Sequence, residues 1–227
     1  MVTQIYNITS KEEAMQVIGA GADFLGIVPP QKTNGNITVP GEISHERVVE
    51  IMDATKGLAK RVLLYAGNDP EVYFDGAILY RPEIIHLSGM RVTATKAFAK
   101  KIKTLVPGIL IEQSVPVGGS AAVKIAVERS QYADILILDS VSKALSVVGA
   151  AGQTHDWHID REIVQKVKIP VIVAGGLSPE NVSGAIETIH PYGVDSLTNT
   201  NMVLPDGTVC KDIRKVQLFC KIAKAYA

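Results

Sequence analysis

Eight times along the chain, a short run of β-branched and aliphatic residues gives way to a segment whose apolar side chains recur at helical spacing. The runs, each too short for a helix, predict strands at 4–6, 23–28, 61–65, 83–87, 109–112, 134–138, 171–174 and 193–197. Helix starts lie between them: Thr9-Ser10 before Lys11-Glu12-Glu13, Ser44 before Val48 and Ile51, and Asn68-Asp69-Pro70. Strands joined by crossover helices make a parallel sheet, and eight such units without a linker or low-complexity break predict closure. The expected fold is therefore a single (β/α)8 barrel over residues 1–227, a length in the usual range for that architecture. An open doubly wound sheet would more often carry a glycine fingerprint after its first strand, and here that turn reads Asn7-Ile8-Thr9.

Composition removes several kinds of function. Lys plus Arg balance Asp plus Glu at 23 each, so no bulk charge draws the chain to nucleic acid or to an anionic membrane. No apolar run reaches the roughly 20 residues of a membrane helix, and the first residues show no basic stretch followed by an apolar core, so a cytoplasmic protein is expected. Cys210 and Cys220 have no metal-ligand or disulfide spacing, and Cys220 falls on the apolar side of the last helix. With no dinucleotide signature, neither metal nor cofactor is expected, and the assembly is taken as a monomer or homodimer.

In such a barrel the working groups stand at the C-terminal strand ends, where the loops converge. Asp139 ends a wholly apolar strand, so desolvation should raise its carboxyl pKa and suit it to donate a proton near neutrality; a structural cap on loop N–H groups is the competing reading. After strand seven, Gly175-Gly176 lets main-chain amides approach a ligand and leads into a helix opened by Ser178-Pro179-Glu180-Asn181. Taken alone, the pair reads as an ordinary glycine turn. Joined by Thr198-Asn199-Thr200 after strand eight, it reads as a phosphate site, which the last two loops of this fold often form. His86 and His155 could serve as acid-base groups or as hydrogen-bonded wall residues, and Trp157 is expected to anchor a loop.

These residues carry a resemblance. DILILDS at 134–140, GAAGQTHDW at 149–157, IPVIVAGGLSPENV at 169–182 and PYGVDS at 191–196 are similar, in order and spacing, to blocks of the phosphoribosylanthranilate isomerases of tryptophan biosynthesis. QIYNIT and AGADFLGIV near the N-terminus also resemble that family. What the resemblance implies is an Amadori rearrangement, in which an acid opens the sugar ring of an aminoaldose phosphate and a base takes the C2 proton. By the same resemblance, Asp139 is the acid, Gly175, Gly176, Asn199 and Thr200 lie against the phosphate, and Gly152 and Asp156 shape the loop after strand six.

The departures concern chemistry. The family's base is a cysteine, and its place is taken by Tyr6, whose ordinary pKa near 10 makes it a poor base at neutral pH. The arginine that holds the anthranilate carboxylate is missing from the loop after strand two, where Asn34, Gly35 and Asn36 stand with Lys32 nearby. Strand four's Q-L-H-G becomes His86-Leu87-Ser88-Gly89, and the S-S-G of strand eight becomes Leu197-Thr198-Asn199. Besides isomerisation with Tyr6, His86 or Glu112 serving the base step, a phosphosugar-binding protein without catalysis and an isomerase or epimerase of another sugar phosphate fit the same residues.

Overall fold

The computed structural model describes residues 1–31, 39–140 and 155–226. Eight parallel strands close on themselves in sequence order, with β1 (Val2–Ile5) hydrogen-bonded to both β2 (Phe24–Ile27) and β8 (Gly193–Ser196). Between these lie β3 (Lys60–Tyr65), β4 (Ile84–Leu87), β5 (Leu110–Val117), β6 (Ile135–Ser140) and β7 (Val171–Val173). The expected closed barrel is the observed one.

The helices form the outer ring: α1 (Lys11–Gly19), α2 (His45–Ala54), α3 (Pro70–Tyr80), α4 (Lys96–Leu105), α5 (Ala121–Arg129), α6 (Trp157–Lys166), α7 (Val182–Ile189) and α8 (Ile213–Lys224). The starts of α1, α2 and α3 are the ones the sequence marks. Ser10, Ser44, Asp69 and Thr95 each accept a first-turn N–H, satisfying donors that have no partner inside the helix. At α1 the Glu13 carboxylate also accepts the Thr9 N–H at 2.8 Å, completing a reciprocal cap.

Strand alternation divides the core in two. Ile5, Leu25, Leu63, Ile85 and Leu138 face outward into the large cluster shared with the helices, whereas Tyr6, Val62, Ile84, Ile137 and Ile172 form a smaller cluster inside the barrel. Several inward positions near the C-terminal ends, His86, Asp139 and Asp195 among them, are polar. Register fixes which of them meet: Gln4 lies opposite Asp195, and His86 opposite Glu112.

Three features depart from the sequence expectation. Strand five was expected at 109–112 with a turn from Pro116, but β5 continues through Pro116 to Val117 because it pairs with β6 along that length. Asp139 is thereby inside β6, opposite Pro116, rather than just beyond it. After β8, a single 3-10 turn (Thr198–Thr200) leads into an antiparallel hairpin of β9 (Asn201–Val203) and β10 (Val209–Lys211) that the strand count omits.

Gly26 on β2 shows how tightly the interior is set. A Cβ there would fall 2.1 Å from Cδ1 of the Tyr6 ring, an overlap that requires the buried ring to shift. Gly26→Ala is expected to destabilise the fold by about 1–3 kcal/mol, the usual range for overpacking, as read by chemical denaturation. An unchanged midpoint would show that the ring can move aside.

Candidate active site at the barrel mouth

The C-terminal mouth is lined by Tyr6, His86, Asp139, Asp195, Gly175, Gly176 and Asn199, along with apolar walls from Val28, Leu64 and Ile137. Its floor is a buried hydrogen-bond network. Tyr6 Oη lies 2.5 Å from His86 Nδ1 and donates to Glu112 Oε2 at 3.2 Å; His86 Nε2 lies 2.6 Å from Ser114 Oγ, and Gln4 Nε2 donates to Glu112 Oε2 at 3.4 Å.

Burial sets the protonation of this network. It pushes the Glu112 carboxyl up to about 7, against the lowering effect of the Gln4 and Tyr6 hydrogen bonds. His86 is pushed down to about 3, so it is neutral, and its 3.2 Å approach to Glu112 is a close contact rather than an ion pair. The Tyr6 phenol is driven well above its ordinary value by burial and then by the Glu112, Asp195 and Asp139 carboxyls. Tyr6 is therefore protonated at neutral pH, and Glu112 is the group in this cluster that can exchange a proton there.

Asp139 stands on β6, next to the strand that carries Glu112, where burial raises its carboxyl to about 6 although Ser140 and His155 pull it down. Its Oδ1 accepts the Ser140 N–H at 2.7 Å, so the capping role and the elevated carboxyl coexist. Asp195 is held well above the usual carboxylate range by burial first and by Asp139 and Glu112 second, with Lys211 opposing. Sequence reading passed over Asp195 as a site residue. The available signal was a carboxyl at an inward position of a short buried strand.

The double-glycine turn is built for close approach. Gly175 and Gly176 have φ of 80° and 66°, in the region that side-chain-bearing residues avoid. The Gly176 carbonyl accepts from Asn181 Nδ2 at 3.0 Å and Asn199 Nδ2 at 2.8 Å. Since C=O and N–H of a trans peptide point in opposite directions, this pins the Leu177 N–H away from the two amides. Asn199 thus positions the turn through its side chain. Asn181, which the sequence reading took only as part of a helix start, shares that task.

Other expected residues lie elsewhere. Thr200 is fully buried with its hydroxyl on the Leu197 carbonyl, and it does not line the mouth. Asp156 caps α6 by accepting the His158 N–H at 2.9 Å, outside the mouth. Trp157 is the first residue of α6 and packs against the outer core, as an anchor does. Gly152 and the loop residues Lys32, Asn34, Gly35 and Asn36 lie outside the described residues.

A Cβ on Gly175 would meet His155 Nδ1 at 2.8 Å and Asp139 Oδ1 at 3.3 Å, besides straining a positive φ. Backbone strain alone is worth roughly 1–2 kcal/mol. Gly175→Ala is expected to weaken binding of inorganic phosphate by about tenfold, measured by calorimetry. Equal affinity would place the anion elsewhere.

Known proteins resemble this chain in sequence and fold. The family model described as N-(5'-phosphoribosyl)anthranilate (PRA) isomerase matches residues 71–221. A phosphoribosylanthranilate isomerase of Methanocella arvoryzae is 32% identical over 192 residues, covering 85% of each chain. One from Methanosarcina mazei is 30% identical over 231 residues, covering 99% of this chain and 94% of its own. Among solved structures, phosphoribosyl anthranilate isomerase from Thermotoga maritima superposes with a TM-score of 0.78 at 26% identity, covering 99% of this chain and all of that one. A phosphoribosyl anthranilate isomerase in complex with reduced 1-(o-carboxyphenylamino)-1-deoxyribulose 5-phosphate matches at a TM-score of 0.76 and 25% identity, with 99% of this chain covered. A closed barrel of this topology, matched across two thirds of its length by one family model and nearly end to end by named relatives, belongs to the phosphoribosylanthranilate isomerase family.

Proposed function

We propose that the protein isomerises an aminoaldose 5-phosphate of the phosphoribosylanthranilate type to the aminoketose phosphate, with Asp139 as the acid and a Tyr6–Glu112 couple as the base. The observation that carries this is the meeting, in one mouth, of a carboxyl raised to about 6 and the double-glycine turn: Asp139 Oδ1 lies 3.3 Å from where a Gly175 Cβ would be. A phosphate held by that turn leaves its sugar ring beside the acid. Asp139 then gives its proton to the ring oxygen, the C1–O bond breaks, and the amine nitrogen supplies electrons to form an iminium.

The base step must avoid a free phenolate, which burial makes unfavourable here. Tyr6 meets this by relay. As its oxygen accepts the C2 proton, its own proton passes along the 3.2 Å hydrogen bond to the Glu112 carboxylate, and the C2–H electron pair forms the C1–C2 double bond of the enolamine. Tyr6 is neutral before and after. Gly175 and Gly176 hold the phosphate, and Asn199 keeps the turn in shape.

The similar isomerase of Thermotoga maritima is described as dimeric, with monomers generated from it, which supports a monomer-or-homodimer assignment, and we place the protein in the cytoplasm. Among the described residues no helix is long and apolar enough to cross a membrane. The test is incubation with phosphoribosylanthranilate while following loss of its anthranilate fluorescence. Turnover supports the proposal. Phosphosugar binding without turnover would instead assign a binding role, the outcome favoured if Tyr6 merely plugs the site of the missing thiol.

A further inference from the structure

A second buried pair stands behind the acid and is used by no step above. His155 Nε2 lies 2.7 Å from Asp160 Oδ2, with side-chain exposures of 7% and 0%. The other ring nitrogen, Nδ1, is buried and has no hydrogen-bond partner among the described residues. It points to Gly175 and the acid: Nδ1 and Asp139 Oδ1 lie 2.8 and 3.3 Å from the same point, the absent Gly175 Cβ, so they are no more than about 6 Å apart. One small movement, or one intervening water, closes that gap.

The rearrangement leaves a proton in the wrong place. Asp139 has lost one to the ring oxygen and the base has gained one from C2, so each turnover requires Asp139 to be reloaded. We propose that His155, held through Nε2 by Asp160, returns the proton to Asp139; this rests on the isomerase reading above. In the step, the Nδ1–H bond of the imidazolium breaks as the Asp139 O–H bond forms. Neutral imidazole remains, with Nε2–H on the Asp160 carboxylate. The proton that Glu112 sheds to solvent balances the one that solvent gives back to the imidazole. His155 touches no substrate in this scheme and is a positioning residue acting through Asp139.

Among the described residues, the charged groups facing this path are carboxyls, with Lys211 acting on Asp195. Asp139 comes from β6, Asp160 and Asp156 from α6 and its cap, and Asp195 from β8, which faces Asp139. The His155 ring lies between the Asp160 and Asp139 carboxyls, placed to pass a proton toward the acid. The side-chain-free Gly175 leaves the space in which ring and carboxyl can approach.

His155→Gln separates the proton role from the structural one, because an amide can still donate to Asp160 but cannot carry a proton to Asp139. The first readout needs no substrate: the carboxyl carbon of Asp139 is titrated by NMR in unliganded protein. Loss of the nearby ring, which pulls the Asp139 pKa down, is expected to move that titration upward from about 6. The second readout is turnover, with kcat expected to fall by about 10- to 100-fold, KM to stay within about twofold, and added imidazole to restore rate in His155→Ala. The double variant His155→Ala/Asp160→Asn removes the stranded carboxylate and covers the case in which His155→Ala does not fold. A His155→Gln protein with wild-type kcat and an unmoved Asp139 titration would overturn the proposal. If the wild type turns nothing over, the isomerase reading has failed by itself, and an unmoved titration would then overturn the His155–Asp139 coupling separately.

Discussion

Asp139→Asn is expected to lower kcat by about 10²- to 10⁴-fold while leaving the protein folded and able to bind phosphate. The amide oxygen can still accept the Ser140 N–H that Oδ1 accepts now, so the strand end keeps its cap. What it cannot do is give a proton to the ring oxygen. Stability supplies an internal control. Because burial places the folded-state pKa at about 6, above the ordinary 3.8, ionising Asp139 costs folding stability progressively as pH rises from about 4 to 6. Two pKa units correspond to roughly 3 kcal/mol, so the amide should be at least as stable as wild type at pH 8 and should show no such gain at pH 4. A variant that loses activity and also melts early at pH 8 would mean that Asp139 is a structural cap and nothing more.

The second large effect is expected at the base. Glu112→Gln keeps the side-chain shape and the acceptor for Gln4, but it removes the place where the C2 proton ends, and a loss of about 10²- to 10⁴-fold in kcat follows. Tyr6→Phe should cost a similar factor, since the relay then lacks its middle atom. Combining the two should add little, because residues acting as one unit fail together. Double-mutant kinetics check this. Losses that multiply would show independent roles, and a Tyr6→Phe enzyme of wild-type rate would remove the relay.

Much of the architecture is legible in the residues because parallel strands buried on both faces leave long apolar runs, and helix caps such as Ser44 and Asp69 announce themselves. The β9–β10 hairpin escaped notice since its side chains, Met202, Val203 and Val209, are exposed and it buries too little to leave a pattern. A turn signal, Pro205-Asp206-Gly207, was nevertheless present. In the site, Asp139 could be read from its place at the end of an apolar strand. The partnership of Tyr6 with Glu112 could not be, because it joins residues 106 positions apart whose meeting depends on barrel closure. Neither could the His155–Asp160 pair, whose members straddle the start of α6 and meet because the ring turns back toward the helix.

The measurement that bears most directly on the account is the pH dependence of kcat/KM with phosphoribosylanthranilate. An acid at about 6 that must be protonated and a carboxylate at about 7 that must be ionised give a rate that climbs up to about pH 6, stays level to about 7 and falls above it. Asp139→Asn should erase this shape along with most of the rate. A profile that is flat across that range in the wild type, or one that survives unchanged in Asp139→Asn, would contradict the claim that these two buried carboxyls move the protons.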